Sequence, residues 1–148
     1  MAKKSTAPKT ASAARFIKLD AQGNQLKPDA KEWVQVLDTE TNLIWAADAS
    51  AERLTFAQAK TYAESLKLGG AFWRVPTIKE LLSLVDYSRF NPAIDTDFFR
   101  CASSWHWSST VEASSPDAVW LVGFSLGYSL WSGRSLKFFV RAVRSAGQ

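Results

Sequence analysis

Helical periodicity is clear in two stretches of this 148-residue chain, and both lie between residues 55 and 86. In the first, Thr55 is followed three residues later by Gln58, a reciprocal capping pattern. Phe56, Ala59, Ala63 and Leu66 then recur at helical spacing as far as Gly69-Gly70, which suits a helix stop because glycine accepts a left-handed backbone. In the second, Thr77 and Glu80 repeat the capping pattern after Pro76, and Ile78, Leu81, Leu82 and Val85 make the apolar face. The rest reads as short strands: 16–19, 33–37 and 43–45 before the helices, and 105–109, 119–124, 126–131 and 136–144 after them. Strands, then two helices, then strands predicts an α+β domain, not an alternating α/β one. The length suits one domain and is enough to bury a core without covalent cross-links.

Residues 1–14 are rich in Ala, Lys, Ser and Thr and hold no large apolar residue after Met1, so they are expected to form a flexible arm ahead of a domain spanning 15–148. The net charge of +4 belongs to this end. Lys3, Lys4, Lys9 and Arg15 stand there without an acid, while the chain after residue 17 is balanced at fourteen basic and fourteen acidic residues. The four cations are therefore candidates for an anchoring arm, and nucleic acid is expected to be touched only through them; a solubilising tail is the plainer alternative. Cys101 is the only cysteine, which rules out an intrachain disulfide. No apolar run has the length of a signal peptide core or a membrane helix. The chain is thus expected in the cytoplasm where it is made, or in a virion, with no membrane partner.

Conventional catalytic patterns are sparse. His106 is the only histidine, and in the strand Trp105-His106-Trp107 it should point to solvent if the tryptophans point inward. Cys101 is near in sequence but no motif joins the two. Asp95 and Asp97 could contribute to a calcium site, although such a pair more often starts a helix, here before Phe98-Phe99. Gly69-Gly70 follows a helix, so it offers no phosphate cradle. No catalytic residue, metal ligand set or cofactor is expected. The aromatics say more. Trp105, Trp107, Trp120, Phe124, Tyr128, Trp131, Phe138 and Phe139 crowd residues 105–139, and most should be core. Tyr128 and Trp131, however, sit among Ser and Gly, as aromatics do in binding surfaces; a hairpin packing its own rings would read the same way. Leu126, Leu130 and Leu136 fit core or interface equally well.

The block Trp73-Arg74-Val75-Pro76-Thr77-Ile78-Lys79-Glu80-Leu81 resembles the WRLPT-x-KEL signature of the Lcl C-terminal family, named from the C-terminal domain of collagen-like adhesins. Further blocks follow in the family's order: Thr41–Trp45, Leu54–Ala59, Asn91–Asp95 with Phe98-Phe99, Ser104–Thr110, Ala118–Trp120 and Val140–Arg144. Together they cover residues 33–144. The resemblance implies a C-type-lectin-like fold, with two helices packed on twisted, mostly antiparallel sheets, and ligands met by the C-terminal half. Ser108, Tyr128, Trp131, Arg134 and Lys137 are the candidates for that face. Among wider relatives, formylglycine-generating enzymes need a cysteine pair, and sugar-binding lectins need a calcium motif that is absent here. The expectation is a non-enzymatic module for a protein partner or other ligand. It would be phage-encoded and displayed on a virion or used in host recognition. The alternatives are an intracellular inhibitor of a host defence complex and, more remotely, an enzyme of the formylglycine-generating type.

Overall fold

The computed structural model describes residues 14–147, so Lys3, Lys4, Lys9 and nearly all of the expected arm lie outside the described residues. The chain runs β1 (Phe16–Leu19), β2 (Gln35–Asp38), β3 (Leu43–Ala46), α1 (Phe56–Glu64), α2 (Ile78–Leu82), β4 (Trp105–Glu112), β5 (Ser115–Gly123), β6 (Tyr128–Gly133) and β7 (Val143–Ser145). The strands form two antiparallel sheets, ordered β1-β2-β3-β7 and β4-β5-β6. This is an α+β architecture, as the strand and helix signals predict.

Both helices begin where the capping pattern places them. Thr55 and Thr77 each accept the backbone N–H three residues on, and Gln58 and Glu80 reach back to the threonine N–H groups. The first helix is shorter than its apolar spacing suggests. It stops at Glu64, and Gly69 and Gly70, at φ 65° and 63°, instead shape a separate 3-10 turn at Leu68–Gly70. The expected strand 136–144 is also broken. Phe138 pairs with Leu54, Phe139 with His106 and Val143 with Trp45, so this segment crosses from one sheet to the other and pairs only briefly with each. Asp95 and Asp97 start no helix; a single turn forms there, with the Phe98 and Phe99 N–H groups on the Asp95 carbonyl.

Apart from β6 and the hairpin end of β4 and β5, the strands are covered on both faces. One core holds Ile44, Ala46, Trp107, Val119 and Leu121 against Phe56, Ala59 and Ala63 of α1. The other holds Val36, Leu43, Trp45, Val122 and Val143 against Leu81 of α2, with Leu84, Ile94, Phe99 and Phe124. Successive residues of β3 therefore alternate between two apolar interiors, and all four are buried. Truncating a fully buried tryptophan such as Trp45 or Trp107 costs on the order of 3–5 kcal/mol. That is a large share of a total stability of about 5–15 kcal/mol.

Arg15 belongs to this fold and not to an anchoring arm. Its guanidinium grips the fully buried Asp38 carboxylate through Nε at 2.9 Å and Nη2 at 2.7 Å, and Nη2 also donates to the Ser83 carbonyl at 3.0 Å. Burial opposes the charge on Asp38, but the bonds from Arg15 and the Glu40 N–H outweigh it and hold the pKa below its ordinary 3.8. Arg15→Ala should lower stability by about 2 kcal/mol at neutral pH, less than for a wholly buried pair because Arg15 is 27% exposed. The depressed carboxylate contributes fully above 3.8 and loses its contribution as pH falls through the folded value. The gap between wild type and variant in urea denaturation should therefore close in acid; a gap of constant size would exclude the ion pair as its source.

Candidate functional site

The two cores thin out toward β6. This strand lies at the margin of its sheet, hydrogen-bonded only to β5, and every residue except Ser132 is exposed. Tyr128 is 64% exposed and Trp131 51%. Trp131 lies directly across from Trp120 on β5, and the two rings meet edge to face with centroids 5.3 Å apart. Leu130 stands opposite Leu121, whose side chain is core, so the neighbouring strand anchors the exposed one. Leu126, Leu130 and Leu136 are all on the surface, which settles a point that their spacing leaves open.

The turn into β6 is held from below. Gly127 has φ 91°, and a Cβ there would lie 2.5 Å from Val85 Cγ1 and 3.2 Å from the Tyr87 ring. Only glycine allows the chain to pass this close. The contact sets the exposed Tyr87, just after α2, beside the start of β6. Sequence reasoning misses Tyr87, because nothing local connects the end of a helix with a turn forty residues later.

The other candidates divide. Lys137 is exposed, as expected. Arg134 is exposed too, but its guanidinium is already engaged: Nε and Nη2 donate to the Pro116 carbonyl at 3.1 and 2.7 Å, and the group lies 5.1 Å from the Phe56 ring centre. Its backbone carbonyl accepts from the Phe56 N–H at the start of α1. Ser108 must be removed from the face. It is fully buried; its hydroxyl donates to the Trp120 carbonyl at 2.7 Å and accepts from the Thr110 N–H at 3.1 Å. The reason is a register shift in β4 between Trp107 and Val111, where the bulged segment turns to α2. There the Ser109 N–H donates to Pro76 O and Thr110 Oγ1 accepts from the Ile78 N–H.

His106 departs from expectation in the opposite sense: it is fully buried. Period-two alternation holds, but its side of the strand faces the second core, against Phe124 and Phe139. Its Nε2 faces Cys101 Sγ at 3.9 Å, and its Nδ1 lies 3.0 Å from the Ser104 carbonyl, to which it donates. Burial and the nearby Arg141 cation push the imidazole down to about 3, and burial pushes the Cys101 thiol up. An activated thiolate–imidazolium pair needs both shifts reversed. Arg141 is itself fully buried and is held by the carbonyls of Ala46, Ala47 and Arg100 at 2.6–2.9 Å. This cluster reads as a polar knot inside the core.

A hollow of about 570 Å³ lies near the N-terminal strand, lined in part by Arg15, Val85, Asp86, Tyr87 and Phe98. Its charged groups are already paired, Arg15 with Asp38 and Asp86 with Ser88 and Arg89, so they converge on nothing. Asp95 is likewise bonded to Arg89 and to the Asp97 N–H. Among the described residues no group of three or more His, Cys, Asp or Glu side chains comes together as a metal site. None of their helices is long and apolar enough to cross a membrane.

Residues 34–144 match the family model described as the Lcl C-terminal domain, and the chain belongs to that family. Compared with individual curated proteins, it shows no significant match. The signature block turns out to be scaffold. Trp73 is buried and donates to Leu68 O, Arg74 forms a two-pronged bond with Glu80 at 2.7 and 2.9 Å, and Thr77 caps α2.

The buried histidine makes a measurable statement. Neutral in the fold, His106 contributes fully above its ordinary 6.5, and that contribution is lost as pH falls from 6.5 toward about 3. Urea denaturation should show stability dropping by up to about 1.4 kcal/mol per pH unit just below that point. In His106→Phe the slope should disappear before the carboxylates begin to titrate, whatever the variant's absolute stability. An unchanged slope would mean the imidazole is charged in the fold.

Proposed function

We propose that this chain is a non-enzymatic binding module that meets a protein partner along the exposed margin of β6, with Tyr128 on one face of the sheet and Trp131 on the other as anchors and Lys137 at its flank. The observation that carries this reading is the contrast within one sheet: His106–Ser108 of β4 and Leu121–Gly123 of β5 are buried, while β6 carries Tyr128, Leu130 and Trp131 in the open. Exposed Tyr and Trp on a rigid strand supply large contact area with little ordering cost. Membership of a family named for an adhesin domain supports a binding role. The unreactive setting of His106 and Cys101 supports the absence of catalysis. Within this reading the module is phage-encoded and serves on a virion or in host recognition.

Affinity purification of the full chain from infected cells, followed by mass spectrometry, tests the proposal. Capsid, tail or baseplate proteins should co-purify. Trp131→Ala or Tyr128→Ala should weaken capture by about 2 kcal/mol or more, roughly 30-fold, as for interface hot spots. Tyr128→Ala should leave thermal stability nearly unchanged, whereas Trp131→Ala should lower it by about 0.5–1.5 kcal/mol through loss of the Trp120 contact. Recovery of a host complex instead would turn the reading to an intracellular inhibitor acting through the same surface. Capture that survives both substitutions would remove β6 as the contact face.

A further inference from the structure

Each sheet in this fold has two margins, and three of the four are covered. The outer side of β1 receives Gln25 in an isolated bridge, with the Leu26 N–H on Lys18 O. The outer side of β7 exchanges two hydrogen bonds with Arg74, at 3.0 and 2.9 Å. The outer side of β4 is closed by Phe139, which bonds to Trp105 and Trp107, and by Pro76, which accepts from Ser109. Along β6, among the described residues, no backbone hydrogen bond from outside the β5–β6 ladder reaches Tyr128–Ser132. A free margin usually carries protection in the form of a lysine, a proline, a bulge or a very short strand. The sequence Tyr-Ser-Leu-Trp-Ser-Gly has none of these over six residues in unbroken register with β5.

We infer that β6 pairs antiparallel with β6 of a second copy of this chain, joining two three-stranded sheets into one of six strands. This goes beyond the proposed function, because it concerns the backbone margin of β6 and not recognition of another protein by its side chains. The strand suits itself as a partner. A two-fold axis perpendicular to the sheet must pass through a residue that faces its own copy. On Leu130, the axis sets Tyr128 opposite Ser132 and Ser129 opposite Trp131. On Trp131, it sets Leu130 opposite Ser132. On the Leu130 axis each large side chain outside it meets a serine; on the Trp131 axis Tyr128 instead meets Arg134, just past the strand, and in neither register does the strand bring like charges together. The nearest cation, Arg134, is tied back to Pro116 O. Pairing would satisfy the open N–H and C=O groups along about 20 Å of strand. It would also cover parts of Tyr128, Leu130 and Trp131, which are 46–64% exposed in the single chain.

Sedimentation equilibrium of the full chain, from micromolar to submillimolar concentration, reads this directly. Wild type should approach twice the 16.4 kDa chain mass as concentration rises. Leu130→Lys, which sets two lysines at or beside the axis, should stay at the single mass with an unchanged circular dichroism spectrum. Ser129→Lys, at an exposed position, gives the same reading if Leu130→Lys fails to fold. A wild-type chain that stays at the single mass throughout would overturn the inference. So would a dimer that both lysine variants leave intact, since the interface would then lie elsewhere. A single-mass wild type that still captures its partner through Trp131 would leave the proposed function standing while the self-pairing fell.

Discussion

Burial of the central strands on both faces, complete in β3, is the constraint from which most of the structure follows. A sheet with one wet face needs one helix layer; here α1 closes one interior and α2 the other, and both sheets supply residues to each. Polar groups caught between the interiors are then mostly satisfied locally, although Trp45 Nε1, Arg141 Nε and Arg144 Nε find no partner among the described residues. Gln35, Ser108, His106 and Arg141 are all fully buried, and each is hydrogen-bonded to a main-chain carbonyl. An unpaired polar group there costs about 1–3 kcal/mol, so these bonds limit which residues the interior can hold. Arg141 shows how far this goes. Its side chain reaches three backbone carbonyls, and the strand that carries it is interrupted at that point.

The residues that mark the family are the ones that hold the two sheets and α2 in register. Trp73 fills the first core, Arg74 closes the margin of β7 with its backbone and grips Glu80 with its side chain, and Thr77 fixes the first turn of α2. Burial works against the Glu80 charge, yet the bonds from Arg74 and Thr77 prevail and hold its pKa below the ordinary value. None of these side chains belongs to the exposed strand. The signature therefore preserves an architecture, while β6, beside β5, carries exposed large apolar side chains on a regular strand.

How much was legible in the sequence depended on how local the determining contacts are. The capping boxes at Thr55 and Thr77 span three residues each, and both were readable in full. The exposure of Tyr128 and Trp131 was only half legible: the Ser and Gly around them suit a surface, but a hairpin packing its own rings reads the same way in sequence. Arg15 was misassigned because its partner Asp38 lies 23 residues away, so a charge count saw only a cation near a terminus. His106 and Ser108 were misplaced for a different reason. Period two says which residues share a face, but not whether the opposite face is wet. The register shift after Trp107, which turns the chain toward α2, leaves no mark in sequence spacing.

The close passage of Gly127 over Val85 divides the hairpin into a part that must stay and a part that can change. Even a methyl group at Gly127 would press on the helix-side core, so the turn is closed to substitution. One residue later the constraint is gone: from Tyr128 to Leu130 and Trp131 the side chains look outward on a backbone already fixed by β5. Such a strand is a natural site for diversification. Its residues could be exchanged in a library, or drift during evolution, to suit new ligands while the latch at Gly127 keeps every variant in the same pose.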